Sequence, residues 1–344
     1  MKKFNVLFVL FILVSHLSAQ VGIGTNTPNV STALDVKSDT QGVLPPRMNA
    51  TQRDAIATTT TATGLIIFNT DTNRLNIFDG VNWHAIVNKQ SEIICENATT
   101  LSDYLICLQT NYTPSQTLGY SLARDILYST IDIDPATQEL KGIYTGFTII
   151  MDYSIDTDPS IHAFALGINA EHVYPQSMGA GDEPGRSDMY NLFPSRVEAN
   201  SSRSNCPFND IVDSDTELWY YLDQAINTIP AINIEAYTEK DNDGTYPLLG
   251  GTQQCSFEPR ESKKGDIARA MLYYYTIYNV VNINGYPSYA NEAFFNAQKT
   301  TLLQWHLDDP ADQLEIDRNN AIQTYQGNSN PFIIDATLPQ RMFN

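Results

Sequence analysis

A glutamate and a histidine stand side by side in the segment NAEHVYPQS, at Glu171 and His172. The same part of the chain supplies Arg186, Asn200 and Arg203, although the whole chain has only 5 His and 20 Lys and Arg residues. Carboxylate and carboxamide oxygens suit a hard divalent cation, and an imidazole can take a proton from water. Arginines bind phosphate oxygens. These residue types therefore predict a site that holds one metal ion and attacks a phosphodiester.

A strand end and a helix are needed to position these side chains. Adjacent residues of a strand point to opposite faces, so the glutamate–histidine pair shares one site only where the strand ends or bends, and Pro175 is consistent with such an end. Ser195 and Glu198 have the spacing of a capping box, which predicts a short helix that carries Asn200. Its carboxamide oxygen would face Glu171, and most positions around an Mg²⁺ ion would remain for water and phosphate.

The chain has 344 residues, of which 42% are hydrophobic, so two domains with packed cores are expected.

The chain is strongly acidic. The formal charge of −19 argues by itself against a nucleic-acid partner, because phosphate binding depends on Lys and Arg. The basic residues nevertheless cluster in the motif-bearing segments, which predicts a local basic cleft on an acidic body. These residues are Arg186, Arg196, Arg203, Arg260, Lys263, Lys264 and Arg269.

Residues 1–19 have the features of a secretory signal peptide. Lys2 and Lys3 precede a short apolar run, and small residues follow it. That run is too short to cross a membrane, and no later run is long and apolar enough to do so. We therefore expect a soluble mature protein that is secreted to the periplasm or the extracellular space.

Four cysteines remain in the exported chain. An even number of cysteines in an exported protein favours disulfides, and the absence of a CxxC pair argues against zinc. Three pairings are possible. We favour Cys95–Cys107, which are close in sequence, together with Cys206–Cys255, which would join two motif-bearing segments.

Residues 20–90 differ in amino-acid composition from the rest of the chain. They are rich in Thr, Asn and Gly with short apolar alternations, which predicts short strands and hairpins. The segment VGIGTNTPNVSTALDVKSDTQGVLPPRMNATQRDAI resembles a module of exported Bacteroidetes proteins and phage-tail-like fibres. That resemblance implies a β-rich element that trimerises or attaches to a surface ligand, and a spacer without activity is the alternative.

Residues 91–344 predict an α+β domain with mainly helical character. A β-rich run is expected over 142–153, and Asp266 after Gly265 is placed as a helix cap. Helices are predicted over 101–109, 118–129, 219–229, 266–281, 302–305 and 314–325.

Four blocks of this domain carry a specific resemblance. These blocks are similar, in the same order, to the bacterial extracellular endonuclease I family. They are NAEHVYPQS, DMYNLFPSRVEANSSRSN, FEPRESKKGDIARAMLYYY and LLQWHLDDP with EIDRNNAIQTYQGNSNPFI. They span roughly residues 95 to 335. The resemblance implies a ββα-metal finger inside a mainly helical nuclease domain. It also implies nonspecific cleavage of DNA, and often RNA, that leaves 5′-phosphate and 3′-hydroxyl ends.

The matching motifs imply a role for each of these residues in the present sequence. His172 would be the general base, and Glu171 and Asn200 would ligate a single Mg²⁺, with Ca²⁺ or Mn²⁺ as alternatives. Arg186 or Arg203 would stabilise the phosphate. Four further cations would contact the nucleic-acid backbone, namely Arg260, Lys263, Lys264 and Arg269.

Two positions depart from the family pattern. Tyr190 replaces a histidine of the usual DLHNL block, and Ser201 follows Asn200 where glycine is common. Neither change removes a predicted ligand or the base. Three other functions stay open: a fibre protein with an inactive nuclease domain, a phosphatase, and an enzyme that acts mainly on RNA.

Overall fold

The computed structural model describes residues 20–56, 63–71, 74–85, 93–154, 158–243, 255–279 and 290–343. The chain divides into two compact units, Met1–Gln90 and Ser91–Asn344. The predicted signal peptide, residues 1–19, lies outside the described residues. Within the described ranges, no helix has both the length and the apolar character needed to cross a membrane.

The first unit is β-rich, as predicted. β1 and β2 form a parallel pair, and β3 to β6 form a four-stranded sheet in the order β3-β4-β5-β6. Several apolar side chains face solvent, including Val30 at 89% exposure and Leu44 at 76%. The elements are β1 Val21–Ile23, β2 Leu34–Val36, β3 Arg47–Met48, α1 Ala50–Asp54, β4 Ile66–Asn69, β5 Arg74–Phe78 and β6 Trp83–Ala85.

The second unit mixes helices with small antiparallel sheets, which confirms the α+β prediction. Its strands are β7 Glu139–Lys141, β8 Thr148–Ile150, β9 Ile168–His172, β10 Leu192–Arg196, β11 Leu218–Tyr221, β12 Gln224–Ile226, β13 Thr238–Asp241 and β14 Ser256–Glu258. Its helices are α2 Leu101–Tyr112, α3 Tyr120–Ile126, α4 Pro159–Ala165, α5 Val197–Arg203, α6 Lys264–Ile277, α7 Glu292–Asp308, α8 Gln313–Gln326, α9 Pro331–Ile334 and α10 Leu338–Phe343.

The core of this unit is built around α6, in which every residue is buried. A helix that is buried on all sides must be surrounded by other elements, and α2, α7 and α9 pack against this one. Buried tyrosines in this helix and directly after it carry hydroxyl groups that need hydrogen-bond acceptors. The hydroxyls of Tyr273 and Tyr278 both donate to Asp188 Oδ2 at 2.8 Å, which satisfies the donors and the carboxylate together.

Four predicted elements differ from the structure. The predicted helix over 219–229 is the β11–β12 hairpin, because its aromatic residues favour a strand, Leu222 turns the chain at φ 50° and β11 pairs with β13. Asp266 does not cap α6, since the carboxylate accepts from Lys263 Nζ at 2.8 Å. The run 142–153 contributes only β8, and the helix over 118–129 is α3 followed by a π-helical turn.

The pairing of β13 with β14 brings two buried carboxylates together. Glu239 lies opposite Glu258 in the register, and the two residues are 7% and 6% exposed. Burial raises the pKa of Glu239 to about 8 and that of Glu258 to about 7. A folded-state pKa above the ordinary 4.5 means that the folded protein binds these protons more tightly than the unfolded chain. The contribution of these two protonated carboxyls to the stability of the folded protein is therefore complete below pH 4.5, and it is lost as the pH rises through 7 and 8.

We expect Glu239→Gln to stabilise the protein more at alkaline pH than at acidic pH. The amide can still accept from Thr216, but it never carries the buried negative charge. Thermal unfolding should show a gain in Tm of about 2–4 °C at pH 8.5 and a smaller gain at pH 5. Glu235→Gln, at an exposed position, is the control. An equal gain at both pH values would contradict this explanation.

Candidate active site

Glu171 and His172 lie at the end of β9, the first strand of a ββα unit. β9 pairs antiparallel with β10, so that Glu171 lies opposite Phe193 and His172 opposite Leu192. The strand ends at His172, which meets the condition for two adjacent side chains to serve one site. α5 begins directly after β10 and carries Asn200.

The start of α5 differs from the predicted capping box. Ser195 belongs to β10 and its side chain does not cap the helix. Arg196 occupies the N-cap position, and its guanidinium pairs with Glu198. The strand pairing of β10 continues through Arg196, so the backbone of Ser195 is held in the sheet and the box cannot form.

The carboxylate of Glu171 is buried, with 2% of the residue exposed. Tyr144 donates its hydroxyl to Oε1 at 2.6 Å, and Arg203 Nη1 lies 3.1 Å from the same oxygen. Oε2 accepts no hydrogen bond from any residue that the structure describes. Burial raises the pKa of Glu171 to about 7, although Arg203 and Tyr144 act in the opposite direction. One oxygen of a buried acid is thus left for a ligand.

The carboxamide of Asn200 is oriented by its nitrogen. Nδ2 donates to Asn169 Oδ1 at 2.8 Å and to the Ala170 carbonyl at 3.1 Å, while Oδ1 has no hydrogen-bond donor in the described part of the chain. No three His, Cys, Asp or Glu side chains gather in a metal-binding arrangement among the described residues. The available donors are one carboxylate and one carboxamide oxygen, which fit a cation that keeps water and phosphate in its other positions.

The imidazole of His172 has a defined tautomer. Nε2 lies 2.9 Å from the Arg186 carbonyl, which can only accept, so Nε2 carries the proton. Nδ1 accepts from Gln176 Nε2 at 3.1 Å, and Gln176 is exposed. Burial lowers the pKa of His172 to about 4, so the ring is neutral at pH 7. Among the described residues, the unprotonated nitrogen therefore accepts a hydrogen bond only from the side chain of an exposed residue.

Arg203 lies inside the protein and clamps the strand end. Its residue exposure is 0%, and its guanidinium stacks over Phe208 with 4.5 Å to the ring centroid. Nη1 donates to the His172 carbonyl at 3.2 Å, and Nη2 donates to the Val173 carbonyl at 2.7 Å. Together with the ion pair to Glu171, these contacts position the strand end and leave the guanidinium away from solvent.

Arg186 is partly exposed, and its guanidinium lies 4.7 Å from the ring centroid of Tyr120. It makes no ion pair within 4.0 Å in the described ranges, and its buried Nε has no hydrogen-bond partner there. Of the two predicted phosphate ligands, Arg186 is therefore the one with a guanidinium available to a substrate.

Sequence reasoning missed three side chains at this site. Tyr144 holds Glu171, the Tyr120 ring stacks on His172 with 5.3 Å between centroids, and Arg124 lies 4.3 Å from the Tyr120 ring. The spacing of Tyr120 and Arg124, four residues apart in a predicted helix, indicates that they share a face. Nothing in the sequence indicates that this face meets the histidine.

Three of the four cations predicted to contact the nucleic-acid backbone are held by carboxylates instead. Arg269 is fully buried, and Lys264 bonds to three acids. We therefore remove these two from the proposed interface. Arg260 is half-buried and donates Nε to the Ile143 carbonyl at 3.0 Å, without an ion pair in the described segments. The partners are Asp266 for Lys263, Asp210, Glu258 and Glu261 for Lys264, and Glu315 for Arg269.

Both predicted disulfides are present. Cys95–Cys107 closes a short loop, and Cys206–Cys255 joins the segment after α5 to the start of β14.

The replacement of the family histidine by Tyr190 has a structural explanation. Its side chain is buried, and its hydroxyl lies 3.0 Å from the Asn319 carbonyl and 2.9 Å from the Asn328 carbonyl, so it belongs to the core.

The chain is similar in sequence to extracellular nucleases. The chain is 31% identical over 179 residues to an extracellular ribonuclease of Bacillus subtilis (strain 168), which covers 48% of this chain and 50% of that protein. It is 29% identical over 163 residues to an extracellular deoxyribonuclease of Aeromonas hydrophila, which covers 46% of this chain and 54% of that one. The chain thus spans about half the length of these curated relatives.

Two family models match separate parts of the chain. Residues 22–102 match the phage tail like trimerisation region. Residues 105–337 match Endonuclease I, and this match includes the whole ββα unit and every residue of the site. The chain belongs to the Endonuclease I family.

Proposed function

We propose that this protein is a secreted, divalent-metal-dependent endonuclease that hydrolyses phosphodiester bonds of DNA or RNA without sequence preference. The observation that carries the proposal is a neutral imidazole, on the residue next to a buried carboxylate, whose unprotonated Nδ1 accepts among the described residues only from the exposed side chain of Gln176. The names of two relatives support both substrates, since one is a ribonuclease and the other a deoxyribonuclease. The extracellular relatives and the two disulfides support secretion.

The side chains have distinct roles in this reaction. His172 Nδ1 takes a proton from the attacking water once Gln176 yields its place there, and Arg186 stabilises the negative charge on the phosphate. Glu171 and Asn200 would hold Mg²⁺, or Ca²⁺ or Mn²⁺ in its place, and the ion would neutralise charge on the phosphate and the departing oxygen. The water oxygen bonds to phosphorus as the bond from phosphorus to the 3′ oxygen breaks, and the 3′ oxygen takes up a proton from solvent, so that the products carry 5′-phosphate and 3′-hydroxyl ends.

The N-terminal unit has a separate role in the proposal. Its match to a trimerisation region and its exposed apolar side chains support assembly into a trimer. Attachment to a surface ligand is the alternative use of the same unit.

Removal of the metal tests the central claim. We expect the mature protein to cleave supercoiled plasmid in Mg²⁺, and RNA under the same conditions, and to lose both activities in EDTA. Products should be extended by a DNA polymerase without treatment, because they carry 3′-hydroxyl ends. If plasmid and RNA stay intact in Mg²⁺, Mn²⁺ and Ca²⁺, the protein is not a nuclease. Cleavage that persists in EDTA would contradict the metal requirement.

A further inference from the structure

Three side chains beside the base form a group that we call the Tyr120 cluster: Tyr120, Arg124 and Arg186. The guanidinium carbons of Arg124 and Arg186 lie 4.3 and 4.7 Å from the Tyr120 ring centroid. The same ring stacks on His172 at 5.3 Å with 28° between the planes. The cluster therefore places two cations beside the imidazole, and only one of them has a role in the proposed reaction.

Arg124, like Arg186, makes no ion pair in the described ranges. Its Nε donates to the Tyr120 carbonyl at 3.3 Å, and its other nitrogens donate to no residue that the structure describes. The pKa of Asp158 is lowered chiefly by the hydrogen bond from the Ile161 amide and least by the charge of Arg124, and no described carboxylate oxygen lies within 4.0 Å of the guanidinium. Both arginines of the cluster are partly exposed. In a chain of charge −19, an unpaired cation beside another cation indicates an anion that is bound from outside.

We propose that Arg124 binds a second backbone phosphate of the substrate, next along the strand to the phosphate that is cleaved beside His172. The two guanidinium carbons are 4.3 and 4.7 Å from the same ring centroid, and a strand carries one phosphate for about every 3.4 Å of helix rise. The two cations are thus close enough to contact neighbouring phosphates of one strand. Tyr120 sets the spacing between the two cations and the imidazole. This inference rests on the proposed nuclease function and adds a requirement for a neighbouring phosphate.

Substrates with neutral linkages isolate the second phosphate. One DNA hexamer keeps a single phosphodiester among methylphosphonates, and two others keep that phosphodiester and one more, on its 5′ or its 3′ side. We expect kcat/KM to be about 10-fold higher for one of the two-phosphate hexamers than for the one-phosphate hexamer, because a charge-assisted arginine contact is added. The gain should arise in KM.

Two substitutions of matched charge decide where the preference comes from. Arg124→Gln should reduce the preference to about 2-fold or less, since the contact to the second phosphate is lost. Lys299→Gln also removes one cation that lies over an aromatic ring, that of Phe343, and should keep the preference. Arg124→Lys should restore part of it. Thermal unfolding of each variant establishes that the protein is folded.

The outcomes separate this inference from the proposed function. An unchanged preference in Arg124→Gln, or an equal loss of kcat/KM on all hexamers, would overturn the second phosphate site. If the parent protein cleaves none of them in any divalent metal, the nuclease function fails, and binding then tests the site. In fluorescence polarisation with His172→Ala as the background, Arg124→Gln should reduce the slope of log Kd against log salt by about 0.7 for single-stranded DNA. An unchanged slope would overturn the inference.

Discussion

Replacement of His172 by alanine should lower kcat for plasmid or RNA cleavage by about 10²–10⁴-fold, the contribution of a positioned general base. The imidazole has one protonated nitrogen fixed by the Arg186 carbonyl and one lone pair that faces exposed Gln176. Alanine removes the proton acceptor and leaves both neighbours able to bond to water. KM should change little, because the ring contributes to the chemical step more than to binding. Initial rates at saturating substrate measure the loss.

The pH dependence of the parent protein should report on Glu171, not on His172. Burial holds the pKa of His172 at about 4, so this group is in its basic form throughout the range above that value. Burial also raises the pKa of Glu171 to about 7, and a proton there competes with a metal ion. At low Mg²⁺ the rate should therefore fall as the pH drops through 7. Saturating Mg²⁺ should move this fall to lower pH.

A matched histidine provides the control for the alanine substitution. His162 is buried and accepts from the Asp152 amide at 3.2 Å, a bond that the oxygen of glutamine can replace. We expect His162→Gln to keep kcat within about 2-fold, as for a substitution outside the chemistry. Imidazole added to His172→Ala should recover part of the rate. A fully active His172→Ala variant would assign the base to another group.

Local motifs predicted the parts of the site that come from one stretch of chain. NAEHVYPQS indicated a strand end, and the residues around Asn200 indicated a short helix, and both are present as β9 and α5. The supports of Glu171 could not be predicted in the same way. Tyr144 reaches it from 27 residues upstream, and that contact depends on how distant elements pack. No periodicity or spacing in a single sequence carries that information.

The errors have a related cause. Trp219–Ile229 has apolar residues at helical spacing, but the pairing of β11 with β13 makes it a hairpin. Lys264 and Arg269 looked available for phosphate because each has an acidic partner that is distant in sequence. Lys264 binds Asp210, which is 54 residues away, and Arg269 binds Glu315, which is 46 residues away. Charge clustering along a chain thus overestimated the free positive charge in the fold.

The two arginines that sequence reasoning left open should behave differently when each is replaced by glutamine. Arg203→Gln breaks a buried ion pair and removes two bonds to the end of β9. Loss of one partner of a buried pair costs about 3–5 kcal/mol, which corresponds to a fall in Tm of about 10 °C for a domain of this size. Arg186→Gln removes a partly exposed cation without an ion pair in the described ranges, so Tm should change by less than about 2 °C.

The effects of the two substitutions on kcat should differ from their effects on Tm. Arg186→Gln removes the cation that we propose to face the phosphate and should lower kcat by about 10²-fold, as the loss of one charge-stabilising donor does. Lys299→Gln controls for the change in net charge and should keep both kcat and Tm. An Arg203→Gln variant that is as stable as the parent but inactive would assign the phosphate contact to Arg203. Because Arg203 is buried against Glu171 while Arg186 is partly exposed, stability and kcat measured on the same two variants distinguish a structural role from the proposed contact with substrate.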